Sequence, residues 1–406
     1  MVLAVSLVVS AVFVVTQRLR ILPSLHGVAR QSRGSEYYPL ALFLTFVLAY
    51  DQPALYISAV LVLAVADAFA ALVGVRYGSI HYEVEDSTKS LEGSLIFLVV
   101  AFLAIHLPLL LMTDLPPAGT VLAALLVATL VTMFEAVSLH GADNLFVPIG
   151  VVFCLDRITR EPVSEGVYQN LSLYALAVSL LLLTRQFRWF NTGAKLVVIL
   201  FTYGAWGIGS WLWAAPVLVA LVASVVVGLR AGLKNIGSVK VRYVAAVALP
   251  PFLYLFAGDA LSSREDWMFG PYLASLGAVV VFWVRAHSKF FRQGGQWLIL
   301  AGVVVFAWAC VVAVPWSLDP EHPTIAALVV LAAIGIAGFG EEVWTSAWRR
   351  EPQPQRWTAR RFTFSLIAGG LVLAAQEVGV RPWTPTRAPD PQALFWQRTP
   401  DAQVAE

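Results

Sequence analysis

Residues 53–75 read PALYISAVLVLAVADAFAALVGV, an apolar run of 23 residues interrupted by a single carboxylate, Asp67. A helix crosses the hydrocarbon core of a bilayer in about 20 residues, so this stretch is long enough to span it. It sets the fold class and carries the first functional signal. A carboxylate near mid-membrane costs about 2.5–3.5 kcal/mol on insertion scales and needs a partner or a water-filled cleft. The small neighbours Ala66, Ala68, Ala70, Ala71 and Gly74 permit close approach by a helix backbone or a ligand. Asp67 reads either as a contact to Mg²⁺ or a nucleotide, or as a polar tie between helices.

Outward from this run, apolar segments recur at about 1–16, 38–50, 92–112, 117–136, 145–155, 170–184, 196–207, 209–229, 243–257, 269–284, 297–315, 324–340 and 363–378. They predict an all-α, polytopic integral membrane bundle of about 13–14 transmembrane helices. Composition agrees: 59% of the 406 residues are hydrophobic and 13% charged, against about 25% charged in soluble domains. Fourteen Trp, 23 Phe and 12 Tyr can anchor the two interfaces. The shorter runs 38–50, 145–155 and 196–207 fit re-entrant segments or crossings whose polar flanks face the protein. The run 1–16 lacks a basic leading region and a small-residue cleavage motif, so it reads as a retained helix. Cys154 and Cys310 lie in apolar runs and read as core hydrophobes.

Charge placement orients the chain. If every run crosses once, the loops 17–37, 76–91, 137–144, 185–195, 230–242, 285–296 and 341–362 share one side and hold 21 of the 27 Lys and Arg. That bias makes them cytoplasmic and puts both termini outside. Three domains are expected: a membrane domain over 1–168, a second membrane domain over 169–378, and a disordered Pro-rich tail over 379–406. Nothing in the pattern calls for nucleic acid.

The polar residues gather in those cytoplasmic loops. Asp86-Ser87-Thr88-Lys89-Ser90-Leu91-Glu92-Gly93-Ser94 lies just before an apolar run. Lys89 supplies a point charge for phosphate, and Ser87, Thr88 and Ser90 offer hydroxyls to phosphate or Mg²⁺. Gly93 would let backbone N–H groups approach an anion at a helix N-terminus, with Glu92 in its first turn. The bland alternative is a solvated helix start capped by Ser90. A second cluster runs from Glu135, at a helix end, through His140-Gly141-Ala142-Asp143-Asn144. Asp143 and Asn144 offer oxygen ligands suited to Mg²⁺, and the same residues make good turn chemistry. A basic loop, Arg30-Gln31-Ser32-Arg33-Gly34-Ser35-Glu36, could hold phosphate through Arg30 and Arg33, or simply report topology. Arg76 opens the loop that leads to Lys89. Glu341-Glu342 reads as a solvated helix end.

The order Glu36-x-Tyr38-Pro39, Ala66-Asp67-Ala68-x-Ala70-Ala71-x-Val73-Gly74-x-x-x-Gly78, Lys89-Ser90-x-Glu92-Gly93-Ser94, Glu135-Ala136 and Asp143-Asn144-x-x-x-Pro148 resembles the CTP-dependent polyprenol kinases. That group comprises phytol kinase, dolichol kinase and CTP-dependent diacylglycerol kinase. The resemblance covers about residues 30–155. Family members usually carry an Arg-Lys-x-x-His element near the N-terminus; here that region offers Arg18-Leu19-Arg20 and His26. The resemblance implies Mg²⁺-assisted transfer of the CTP γ-phosphoryl group to a membrane lipid alcohol at the cytoplasmic face. The alcohol would be phytol, geranylgeraniol, dolichol or another polyprenol, or diacylglycerol. In that reading Asp67, Asp143 and Asn144 hold the metal. Arg33, Arg76, Ser87, Lys89, Ser90 and Gly93 contact the nucleotide, and Asp67, Lys89, Glu92 and Glu135 serve catalysis. The expected location is the cytoplasmic membrane of a prokaryote. Two other readings use the same residues: a cytidylyltransferase that forms a CDP-lipid, and a non-catalytic transporter or scaffold.

Overall fold

The computed structural model describes residues 34–84, 87–138, 141–185, 191–209, 211–230, 241–260, 265–287, 323–347 and 359–378. The expected helix 1–16, the loop residues Arg30 and Arg33, His140, the run 297–315 with Cys310, and the tail from 379 lie outside them. Each of the twelve apolar runs within the described residues forms one helix. They are α1 (Gly34–Leu48), α2 (Pro53–Tyr77), α3 (Leu91–Met112), α4 (Pro117–Val137), α5 (Asp143–Ile158) and α6 (Val163–Thr184), followed by α7 (Thr192–Gly209), α8 (Trp211–Arg230), α9 (Val241–Ala260), α10 (Glu265–His287), α11 (Pro323–Ala347) and α12 (Ala359–Glu377). Among the described residues α2, α3, α4, α6 and α7 are long and apolar enough to cross a membrane, and five shorter apolar helices accompany them. The protein is an all-α polytopic membrane bundle.

The chain divides into two compact units, Met1–Tyr203 with Ile236–Ala245, and Gly204–Asn235 with Ala246–Glu406. In the first unit α3 packs between α2 and α4, α5 packs on α1, α2 and α4, and α6 packs on α4. Burial of apolar surface is a weak force between helices in lipid, so close backbone approach and polar ties must hold them together. Both are present. A Cβ on Gly93 of α3 would sit 3.1 Å from the Ala70 carbonyl oxygen and 3.2 Å from Gly74 Cα of α2, so these helices meet backbone to backbone. Asn170 of α6 donates to the Leu122 carbonyl of α4 at 3.1 Å, and Thr129 and Tyr174 hydroxyls meet at 2.9 Å across the same pair. Hydroxyls without a neighbouring helix bond back within their own: Thr45 to Ala41 O at 2.6 Å, Ser58 to Ala54 O at 2.8 Å, Thr132 to Ala128 O at 2.6 Å.

Between α2 and α3 the polar loop folds as a two-stranded hairpin, β1 (His81–Val84) and β2 (Ser87–Ser90), with Tyr82 opposite Lys89 and Val84 opposite Ser87. A plain loop was the expectation; the alternation in His81-Tyr82-Glu83-Val84 is the strand signal. Val84 is wholly buried against Val137 of α4, Val197 of α7 and Val241 of α9. Residues far along the chain therefore seat the hairpin.

In the second unit α10 packs on α8, α11 and α12, and α11 on α12. Phe364 of α12 lies over Gly340 of α11, and Ile334 of α11 over Gly277 of α10. The Ser275 and Ser365 hydroxyls meet at 2.9 Å. Glu341 corrects its reading as a solvated helix end: it is buried and accepts from Arg361 Nε at 3.2 Å. A carboxylate on the inner face of an apolar helix needs a cation there, and Arg361, at the start of α12, supplies it. Free Cys154 sits within α5 and is half-buried.

The α2–α3 contact yields a direct test. Gly93→Ala pushes a methyl against fixed backbone atoms, an overpacking cost of about 1–3 kcal/mol. A lower thermal midpoint for the purified variant is the expected result; an unchanged midpoint rules the close crossing out.

Candidate active site

A π-helical turn, Val62–Ala66, precedes Asp67 inside α2. Such a turn inserts an extra residue and re-aims whatever follows. Asp67 then opens the last, α-helical part of α2. Across from it, α4 ends at Val137, so Glu135 lies in its last turn. The chain reverses through Gly141, whose φ of 83° is left-handed backbone that suits glycine. Asp143 is the first residue of α5, with Ala142 as its N-cap.

The π-turn of α2, the end of α4 and the start of α5 thus bring Asp67, Glu135 and Asp143 together, with one carboxylate oxygen of each within 4.8 Å of the others. All three residues are partly buried. Asp143 Oδ1 is buried without a hydrogen-bond partner. Three like charges at this spacing repel unless a cation joins them. One cation is already near: Lys89 Nζ donates to Glu135 Oε1 at 2.8 Å and also to the Glu135 backbone carbonyl. The two side chains are 15% and 14% exposed, so the pair is screened less than a surface ion pair. The hairpin register aims Lys89. Directly opposed residues share a face, and its partner Tyr82 faces inward, with its hydroxyl 2.7 Å from Ser94 Oγ. Burial pushes the Tyr82 phenol above its ordinary range, and the Ser94 bond offsets part of that rise.

Other candidates stand elsewhere. Glu92 accepts from the Ser79 and Ile80 backbone N–H groups at 3.0 and 3.1 Å, and from the Ser79 hydroxyl. It braces the start of the hairpin, so its lone pairs are largely engaged. Ser90 caps α3, accepting from Gly93 N at 3.2 Å, as the bland reading held. Gly93 is a packing glycine against α2, with its N–H spent on that cap. Arg76 is exposed and stacks 5.6 Å from the Tyr77 ring. Asn144 follows Asp143 in the first turn of α5, its backbone N–H donating to Gly141 O at 3.3 Å. Ser87 lies on β2, and Arg33 falls outside the described residues. What the sequence reading missed is Glu135 as a candidate metal ligand. The signal was present: a carboxylate one turn from a helix end, followed by a glycine turn and a second carboxylate.

The donor set is all oxygen, from three carboxylates, and one buried oxygen lacks a partner. Hard divalent cations such as Mg²⁺ take such ligands. The residues present therefore fit a divalent metal.

The chain is 35% identical over 147 residues to a phytol kinase from Synechocystis sp.; the match spans 35% of this chain and 61% of the relative. That likeness supports a phytol kinase-like family for part of the chain. No family model and no solved structure matches.

Mn²⁺ titration of the detergent-solubilised protein, followed by the free Mn²⁺ resonance, tests the cluster. Asp67→Asn and Asp143→Asn should each weaken binding at least tenfold, about 1.4 kcal/mol. Equal affinities in wild type and variants would show that these carboxylates hold no metal.

Proposed function

We propose that the protein is a lipid-alcohol kinase that transfers the γ-phosphoryl group of CTP to the hydroxyl of a membrane lipid. The acceptor class is phytol, geranylgeraniol, a polyprenol such as dolichol, or diacylglycerol. The activity resides in the first unit, at the cytoplasmic face. The observation that carries this reading is the meeting of Asp67, Glu135, Asp143 and Lys89 within a membrane bundle, in a chain similar over 147 residues to a phytol kinase. The charge bias of the loops supports the cytoplasmic assignment.

Phosphoryl transfer needs positioning and charge neutralisation more than covalent help from the protein. Asp67, Glu135 and Asp143 would hold Mg²⁺, which neutralises phosphate charge when bound. Lys89 binds phosphate oxygens as a point charge. The lipid oxygen attacks the γ-phosphorus, the bond to the bridging oxygen breaks, and CDP leaves. The hydroxyl proton passes to a carboxylate of the cluster. Glu92 takes no part in proton transfer, because three donors already occupy it; it keeps the hairpin in register. The carboxylate cluster lies beside helices that carry exposed apolar side chains, which supports a site that joins a charged donor to a lipid. Phe69 and Leu72, just after Asp67, are exposed on such a face, where a lipid chain can lie.

The test is product analysis with purified protein, γ-labelled CTP and each lipid alcohol. Label should appear in a lipid monophosphate, with ATP a poorer donor. Release of pyrophosphate instead of CDP would assign a cytidylyltransferase, and no turnover with any of these alcohols would overturn the kinase reading. Asp67→Asn and Lys89→Ala should each slow transfer at least 100-fold, about 2.7 kcal/mol of barrier. A variant with the wild-type rate removes its residue from the site.

A further inference from the structure

The structure places Lys89 on Glu135. Its ammonium donates both to the carboxylate and to the backbone carbonyl of Glu135. Two of its three protons are thus spent on the residue that belongs to the carboxylate cluster. A phosphate-binding lysine held this way cannot at the same time offer its full charge to a nucleotide.

Charge counting shows why the arrangement is unstable toward a divalent cation. Asp67, Glu135 and Asp143 carry three negative charges when ionised, and Lys89 one positive charge. The group is left with two uncompensated negative charges, which a divalent cation matches. Glu135 lies within 4.8 Å of both aspartates by a carboxylate oxygen and within 2.8 Å of the ammonium. A cation seated among the three carboxylates would be a close neighbour of the Lys89 ammonium. Like charges so near, in a partly buried pocket, repel strongly.

We propose that Glu135 exchanges Lys89 for the metal: in the free protein it serves as the counter-ion of Lys89, and on loading it turns to the cation and releases Lys89 to the phosphates of the nucleotide. This rests on the proposed metal–nucleotide site and adds its order of assembly. Lys89 is suited to the move. It has a flexible four-carbon stem, whereas its backbone is pinned in β2 opposite Tyr82 and the hairpin is seated by buried Val84. The ammonium can swing while its anchor stays. Metal and nucleotide then assist each other's binding: the cation frees the lysine that holds the triphosphate, and the triphosphate supplies the charge that the freed lysine needs. Linkage makes the assistance reciprocal.

The experiment uses the full chain in detergent, with Mn²⁺ as probe and no nucleotide. In wild type, saturating Mn²⁺ should raise acylation of Lys89 by an amine-directed reagent at least threefold, read by peptide mass spectrometry with Lys195 as internal reference. Lys89→Gln should bind Mn²⁺ at least tenfold more tightly than wild type, because the competing cation is gone. In a separate CTP titration with and without Mn²⁺, the variant should also lose most of the effect of Mn²⁺ on CTP affinity. If Mn²⁺ binding depends on Asp67 and Asp143 yet neither Lys89 acylation nor the Lys89→Gln affinity changes, the exchange is wrong and the site reading survives. If wild type binds no Mn²⁺, both fall. The acylation measurement needs no variant, so a misfolded Lys89→Gln protein leaves the test intact.

Discussion

Hydrocarbon offers polar groups no water, and that constraint arranges the polar side chains within the described membrane helices. Threonine and serine hydroxyls turn back onto their own helices, as Thr45, Ser58 and Thr132 do. Thr129 does both, returning to Leu125 O at 2.8 Å and tying α4 to α6 through Tyr174. Buried Glu341 has Arg361. Against this background the group of Asp67, Glu135 and Asp143 stands apart. It has three carboxylates and one lysine, and a buried Asp143 oxygen has no partner. Three carboxylates facing one ammonium leave this group short of positive charge, which is the condition under which a cation site is worth its electrostatic cost.

Hydropathy made the helices legible because a bilayer reads length and apolarity directly. All twelve runs within the described residues became helices, including the short 145–155, which gained its extra turns from Asp143 and Ile158 at its flanks. Four of the candidate site residues were legible for a related reason. Asp67, Lys89, Glu135 and Asp143 are charged residues in or beside apolar runs, where charge has few structural uses. Residue type did not reveal direction. Ser90 and Gly93 have the chemistry of a phosphate loop, but Ser90 faces its own helix start and Gly93 faces Gly74. Glu92 is two residues from Ser90, yet it braces Ser79 and Ile80. Such roles depend on which way a side chain leaves the backbone, and that follows from hairpin register and helix phase. Glu341 was misread because a helix end was equated with solvent; the start of α12 covers it instead.

The hairpin shows how the site depends on distant sequence. A one-residue slip between β1 and β2 would turn Lys89 to the opposite face. Two short strands cannot hold a register alone, since isolated hairpins are marginal in water. Here Val84 locks it, buried against Val137 beside Glu135 in the same helix end, and against Val197 and Val241. The contact is close: a Cβ on Gly193 would collide with Val241, so the starts of α7 and α9 press together where they cover the hairpin. The lysine and the glutamate it meets are therefore fixed from one apolar seat. Val137 ties that seat to Glu135 two residues away, and Val84 ties it to Lys89 through the strand pair. Residues near 193–197 and 241, remote from every site residue in sequence, thus belong to the support of the site. That is why the first compact unit reaches through Tyr203 and takes in Ile236–Ala245. Hydropathy could not show this, because a valine at a helix start looks the same whether it faces lipid or steadies a charged pair.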